Sequence, residues 1–213
     1  MESFEEKRVE LVKSLIDRGY LKSKALIDAF LHVRREDFVE EKNKAHAYAD
    51  MPIPIGKRQT VSQPLTIAFM LESLAIKDGD KVLEIGTGTG YQAALIAEIN
   101  RRGKIYTIER IRELYEKARQ LLSKYKNVKV IYKDGSEGLP DYAPYDKIVV
   151  SCAWPKTTKP LLEQLKEGGR LVLPLGSAYF SQRLVMYEKR KGSIIEKDLN
   201  FPCVFVPLRK GCE

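Results

Sequence analysis

Residues 81–91 read KVLEIGTGTGY. A short run of strand-forming character leads directly into glycines at 86, 88 and 90. A strand that ends in such a loop brings bare backbone close to a ligand. The spacing is G-x-G-x-G, with Tyr91 next, whereas a dinucleotide fingerprint has G-x-G-x-x-G. A phosphate-binding P-loop needs Gly-Lys-Ser/Thr at its end, and that sequence is absent here.

The same pattern recurs on the C-terminal side. KIYTI (104–108), VKVIY (128–132), YDKIVV (145–150) and RLVLPL (170–175) are further strand-like runs. Helical segments lie between them: YQAALIAEIN (91–100), IRELYEKARQLLSKY (111–125) and TKPLLEQLKEG (158–168). Strands alternating with helices predict an α/β fold, a doubly wound and mostly parallel sheet covered on both faces. Beyond Gly176, QRLVMYEK, SIIEKDL and CVFVPL follow one another without helices, which predicts an antiparallel C-terminal strand extension.

On the N-terminal side, 3–18 has helical apolar spacing ended by Gly19, and a second helix starts after Ser23 as its N-cap. Residues 45–64, AHAYADMPIPIGKRQTVSQP, hold three prolines and no helical period, and read as a long ordered loop or an unstructured segment; loops of that length are usually functional or disordered. A helix follows Pro64. We expect one domain over 1–213, made of N-terminal helices and an acceptor-binding loop (1–64), a cofactor-binding core (65–176) and a strand extension (177–213).

Composition excludes several classes. Of 213 residues, 44% are hydrophobic and 31% charged, as in a globular chain. No apolar stretch approaches membrane-spanning length, and the N-terminus lacks a signal-like apolar region, so a cytoplasmic protein with no membrane partner is expected. Three cysteines without metal-like spacing read as reduced thiols, and two distant histidines predict no metal site. The net charge of +8 comes from lysines interspersed with glutamates, without a long basic block, so no nucleic acid is expected as a partner.

Two acids at successive strand ends narrow the ligand. Glu109 closes KIYTIE, where a carboxylate can accept both hydroxyls of an unphosphorylated ribose. Asp134 follows the third strand in VIYKDG and can accept from an adenine amino group. Together, EIGTGTG, the acid of the next strand and KDG resemble the S-adenosylmethionine methyltransferase pattern, a Rossmann-like fold. That resemblance implies S-adenosylmethionine as cofactor and S-adenosylhomocysteine as product. It places Gly86, Thr87, Gly88 and Gly90 against the methionyl part and ribose, Glu84 at the amino end, and Glu109, Asp134 and Gly135 at the adenosine.

The acceptor is narrowed by what is missing. Exocyclic-amine methylases carry Asn/Asp-Pro-Pro-aromatic after the fourth strand, where this chain has VVSCAWP. No Cys–His or Ser–His–Asp constellation is visible. A carboxylate acceptor needs no deprotonation at neutral pH. The segment from Asp50 to Pro64 then closely resembles the protein-L-isoaspartate O-methyltransferase family. That family reads roughly Asp-x-Pro-x-x-Ile-Gly-x-x-x-Thr-Ile/Val-Ser-x-Pro. Asp50, Pro52, Ile55, Gly56, Thr60, Val61, Ser62 and Pro64 match in register. VLEIGTGTGY, IERI, DGSEGLPDYAPYD, PLLEQLKEGGRLVLPLG and the closing FVPL match as well.

The resemblance implies methyl transfer to the α-carboxylate of L-isoaspartyl residues in damaged proteins and peptides. The ester then collapses to a succinimide, which begins repair. It implies that Ser62 holds the acceptor carboxylate, with Thr60 and Val61 as the nearby wall. It implies that Ile55, Gly56 and the Val206, Pro207, Leu208 stretch shape the peptide cleft. A monomer is expected. Two departures stand out: Lys57 and Arg58 in GKRQT, and SCAWP, which is expected to put Trp154 beside the pocket. The alternatives are an RNA or DNA methyltransferase on the same cofactor fold and a non-catalytic adenosine-binding regulatory module.

Overall fold

The computed structural model describes residues 2–156, 159–177 and 180–213. The first helix, α1 (Phe4–Asp17), is begun by a capping box in which the Ser3 hydroxyl accepts from the Glu6 amide and Glu6 reaches back to the Ser3 amide. It buries Leu11, Val12 and Leu15. Ser23 stands at the N-cap position of α2 (Lys24–His32) but does not cap it by its side chain. Its hydroxyl donates instead to Glu72, 3.0 Å away, tying α2 to α3.

Residues 45–64 are not the continuous loop expected from their prolines. They contain a hairpin, β1 (Ile53–Gly56) and β2 (Gln59–Val61). Gly56, Lys57 and Arg58 turn it with φ of 84°, 50° and 58°. Tight hairpins need positive φ, and Asn-Gly or Asp-Gly usually mark them. Here two long cationic residues take that conformation, so the usual signal is missing. The third helix, α3 (Pro64–Leu74), starts at a proline in the first turn, where the lost N–H has no partner to lose.

The core follows the predicted alternation: β3 (Lys81–Ile85), α4 (Tyr91–Ile99), β4 (Lys104–Glu109), α5 (Arg112–Leu121), β5 (Val128–Tyr132), β6 (Tyr145–Val150), α6 (Lys159–Glu163) and β7 (Leu165–Leu175). Two antiparallel strands, β8 (Gln182–Arg190) and β9 (Ser193–Cys203), extend the sheet. Its order is β5-β4-β3-β6-β7-β8-β9, parallel from β5 to β7. β3 is central and buried on both faces because helices cover both. Val82 packs with α3 and α4 residues on one side, and Leu83 and Ile85 with Leu161 and Trp154 on the other. The chain leaves β3 in one direction to β4 and returns on the opposite side at β6. That reversal opens a crevice at the carboxyl ends of β3 and β4.

Two segments differ from expectation. α6 is short because Leu165 to Gly168 already belong to β7, while Thr158, the first residue of the expected helix, lies outside the described residues. CVFVPL is not a strand of its own: only Cys203 lies in β9. The rest crosses the sheet's end, where Pro207 bridges Ala153 and the Leu208 amide donates to the Ala153 carbonyl at 3.0 Å. Phe205 is held by its amide on the buried Gln182 carboxamide.

Candidate functional site

The glycine loop is held by the strand beside it. The amides of Gly86 and Thr87 both donate to the Ile108 carbonyl, at 3.0 and 3.1 Å. Gly90 has φ +91°, and a Cβ there would lie 2.8 Å from Leu122 Cδ1. Both the conformation and the close approach require glycine. Gly135 meets a similar limit, since its Cβ would stand 2.7 Å from Ile85 Cγ2.

Glu109 lies at the end of β4 and is nearly buried. One oxygen accepts from the Gly88 amide, and the other from the amides of Arg110 and Ile111, each at 2.9 Å. Burial pushes its pKa up, and the three amides oppose the shift. It thus fixes the glycine loop and lines the crevice at once. Glu84, fully buried beneath the loop, has both oxygens engaged. Gln92 Nε2 donates to it at 2.9 Å and Thr107 Oγ1 at 2.6 Å. Thr87 and Thr107 share a further hydroxyl hydrogen bond at 2.6 Å. Burial raises the Glu84 pKa to about 7.

Two adjoining cavities meet at this point. The first, about 890 Å³, is bounded by the glycine loop, Glu84, Glu109, Ile111, Gly135 and the Val206, Pro207, Leu208 stretch. The second, also about 890 Å³, opens between the acceptor segment and Phe201 to Val206. Thr60, Ser62, Ser151 and Val206 line both. Val61 lines the first. No hydrogen bond engages the Ser62 hydroxyl among the described residues, whereas its carbonyl accepts from Arg35 Nη2 at 3.0 Å. Ser62 does not cap α3: the N-cap residue is Gln63, and the Leu65 amide is capped by Asp50 Oδ1 at 2.9 Å.

Other expected residues lie elsewhere. Asp134 is not on the cavity wall; its oxygens accept from the amides of Ser136 and Gly211, at 2.8 and 2.6 Å. Ile55 is buried with its Cδ1 against the Gly88 backbone, and Gly56 sits in the hairpin turn, so neither lines either cavity. Trp154 does not stand beside the pocket. It is packed in the core on the far face of the sheet, its amide on the Pro174 carbonyl. Lys57 is tied to Glu113 of α5 at 2.9 Å.

Sequence reading missed Gln92 and Ser151, which are joined by a 3.0 Å hydrogen bond that continues the Glu84 network to the shared wall. Helix α4 is buried on nearly all sides from Tyr91 to Ala97, so no periodicity singles out Gln92. Asp50 was visible as part of the acceptor segment, but its capping role was not. Among the described residues, no helix is long and apolar enough to cross a membrane. All three cysteines are free.

The whole chain can now be set against known proteins. The model of the protein-L-isoaspartate(D-aspartate) O-methyltransferase family matches residues 6–213. The chain belongs to that family. It is 47% identical over 201 residues to the protein-L-isoaspartate O-methyltransferase of Methanococcus aeolicus, covering 93% of this chain and 92% of that one. The protein of the same name from Methanothermobacter thermautotrophicus is 46% identical, with 95% of each chain covered. A solved protein-L-isoaspartate O-methyltransferase superposes with a TM-score of 0.86 at 28% identity, over 95% of this chain and 66% of that one. A Plasmodium falciparum structure assigned to the same family, in complex with S-adenosyl-L-homocysteine, gives 0.82 at 25% identity, over 94% and 97%.

The first cavity suits S-adenosylmethionine by the chemistry of its donors. It offers a carboxylate, Glu109, for a ribose diol, apolar Ile108, Ile111 and Leu114 for a flat ring, and buried Glu84 for an ammonium.

Proposed function

We infer that this protein transfers a methyl group from S-adenosylmethionine to the α-carboxylate of L-isoaspartyl residues in damaged proteins and peptides. We propose one domain over 1–213, with the cofactor in the first cavity and the isoaspartyl peptide in the second. The observation that supports this arrangement is the wall common to both cavities, on which Ser62 has an unengaged hydroxyl.

When bound, S-adenosylmethionine supplies an electrophilic methyl carbon. The protein's own contribution is placement. Glu109 is assigned to the ribose, and Glu84 to the amino end. The Glu84–Gln92–Ser151 chain couples that end to the shared wall. Ser62 donates to one oxygen of the acceptor carboxylate and turns the other toward the methyl carbon. Thr60 and Val206 close the passage around it and exclude water. The acceptor is already ionised at neutral pH, so no side chain has to take a proton. Among the described residues no His lines either cavity, and Lys133 lines only the first.

The experiment is a methyl-transfer assay on two peptides that differ only in an Asp or isoAsp linkage, with RNA as a third substrate. Label should enter the isoaspartyl peptide alone, and as an ester. Methylation of RNA, or equal labelling of both peptides, overturns the reading.

A further inference from the structure

The second cavity raises a problem of charge. Its proposed occupant is an anion, yet among the described residues no Lys, Arg or His lines it; the polar lining consists of hydroxyls and Gln63. Taking a carboxylate out of water without a compensating charge is costly. Of the nearby cations at the hairpin and on β8, Lys57 pairs with Glu113, Arg183 pairs with Glu196 and Asp198, and Arg58 is exposed to solvent.

One cation behind the cavity wall is neither paired nor exposed among the described residues. Arg35, in the 3-10 turn Arg35–Phe38, is 0% exposed. It makes no ion pair among the described residues. Glu36, the adjacent acid, turns to Arg8 and Arg34 and accepts a short hydrogen bond from the Tyr48 hydroxyl. Asp50, which also acts on Arg35, is engaged by Arg18 and by the Leu65 amide. Arg35 Nε and Nη1 have no hydrogen-bond partner among the described residues. Its remaining nitrogen donates to the Ser62 carbonyl, and its guanidinium carbon lies 4.9 Å from the centre of the Tyr91 ring. Tyr91 is the first residue of α4 and lines the cofactor cavity.

A buried, unneutralised guanidinium is destabilising as a purely structural element. Its field is strong in a low-dielectric interior and extends toward whatever lies past Ser62. We infer that Arg35 supplies the positive charge that binds the acceptor carboxylate, acting from behind the Ser62 peptide group. Arg35 is therefore a positioning residue: it touches neither peptide nor cofactor. It fixes the Ser62 carbonyl, sets the position of the hydroxyl on the same residue, and rests on the ring that heads the cofactor helix. This inference rests on the isoaspartyl reading above and adds to it how a cavity without cationic side chains selects an anion.

The test compares binding of two peptides in the presence of S-adenosylhomocysteine. One carries the isoaspartyl α-carboxylate, and the other is the same peptide with that group as a neutral carboxamide. Wild type should prefer the carboxylate. Arg35→Met and Arg35→Gln should each lose about tenfold of that preference, with amide binding and cofactor affinity nearly unchanged. Arg35→Lys keeps the charge and should retain most of it. A collapsed site weakens both peptides alike, so the ratio separates charge from packing. Gln retains a donor for the Ser62 carbonyl, so a folded variant remains if Met fails to fold. Equal weakening of both peptides in a folded neutral variant, or an unchanged preference, overturns the inference. Failure of wild type to methylate the isoaspartyl peptide would instead overturn the functional reading.

Discussion

Glu84 and Glu109 are both buried carboxylates next to the glycine loop, but they are held differently. Three backbone amides grip Glu109, whereas Glu84 has only the side chains of Gln92 and Thr107. Glu84 is accordingly the group whose titration affects folding near neutrality. Its pKa rises from an ordinary 4.5 to about 7 on folding. The folded state therefore holds more protons than the unfolded state between those values. Stability contributed by the protonated form is fully present below pH 4.5, falls as pH rises through the window, and levels off above 7. The difference is at most about 3 kcal/mol. Glu84→Gln should flatten the dependence of Tm on pH between about 5 and 7.5. Melting curves across that range test it; parallel wild-type and variant slopes would show that Glu84 does not titrate there. The raised pKa is a consequence of burial that only the fold reveals, although EIGTGTG already placed the residue beneath the loop.

Among the elements, the acceptor segment departs most from its sequence signals. Its prolines suggested a loop, but β1 and β2 pair across a turn in which Lys57 and Arg58 adopt positive φ. The parallel strands were legible because an apolar strand buried on both faces has few alternatives, and Glu109 was legible because strand ends define the crevice. Positive φ at two long cationic residues, Lys57 and Arg58, leaves no such local signal. The start of α3 shows the same limit. Its cap is Asp50, 15 residues upstream of Leu65, which no local signal shows. Asp50→Ala should cost about 0.5–2 kcal/mol of stability, the usual loss for a removed cap. Chemical denaturation measures it, and an unchanged midpoint would mean the Leu65 amide finds another partner. The Gln63 carboxamide, which donates to the Asp50 carbonyl at 3.0 Å, should keep the hairpin docked in that variant.

Across the whole molecule, the chain's last described residues return to the start of its chemistry. Val206, Pro207, Leu208 and Arg209 line the cofactor cavity, and the segment beyond them is pinned at the ends of β4 and β5. The Gly211 amide donates to Asp134, the Glu213 amide to the Arg110 carbonyl, and the Arg110 guanidinium to Gly211 and Glu213. Sequence alone assigned Asp134 to adenine because it could not show this returning segment. Asp134→Ala should speed hydrogen exchange at Gly211 and weaken cofactor binding about tenfold by loosening this wall, a loss within the range of one hydrogen bond to a charged group. Unchanged exchange at Gly211 would remove Asp134 as its anchor.

The central claim is that Ser62 orients the acceptor while a separate loop holds the cofactor. It is tested most directly by kcat of Ser62→Ala on an isoaspartyl peptide at saturating S-adenosylmethionine. A hydrogen bond to a charged group contributes about 1.5–3 kcal/mol, so kcat should fall on the order of tenfold to a hundredfold if that bond strengthens in the transition state. Cofactor affinity and Tm should stay near wild type, since Asp50 caps α3 and the glycine loop is anchored by Glu109. A wild-type kcat in the folded variant would contradict the account.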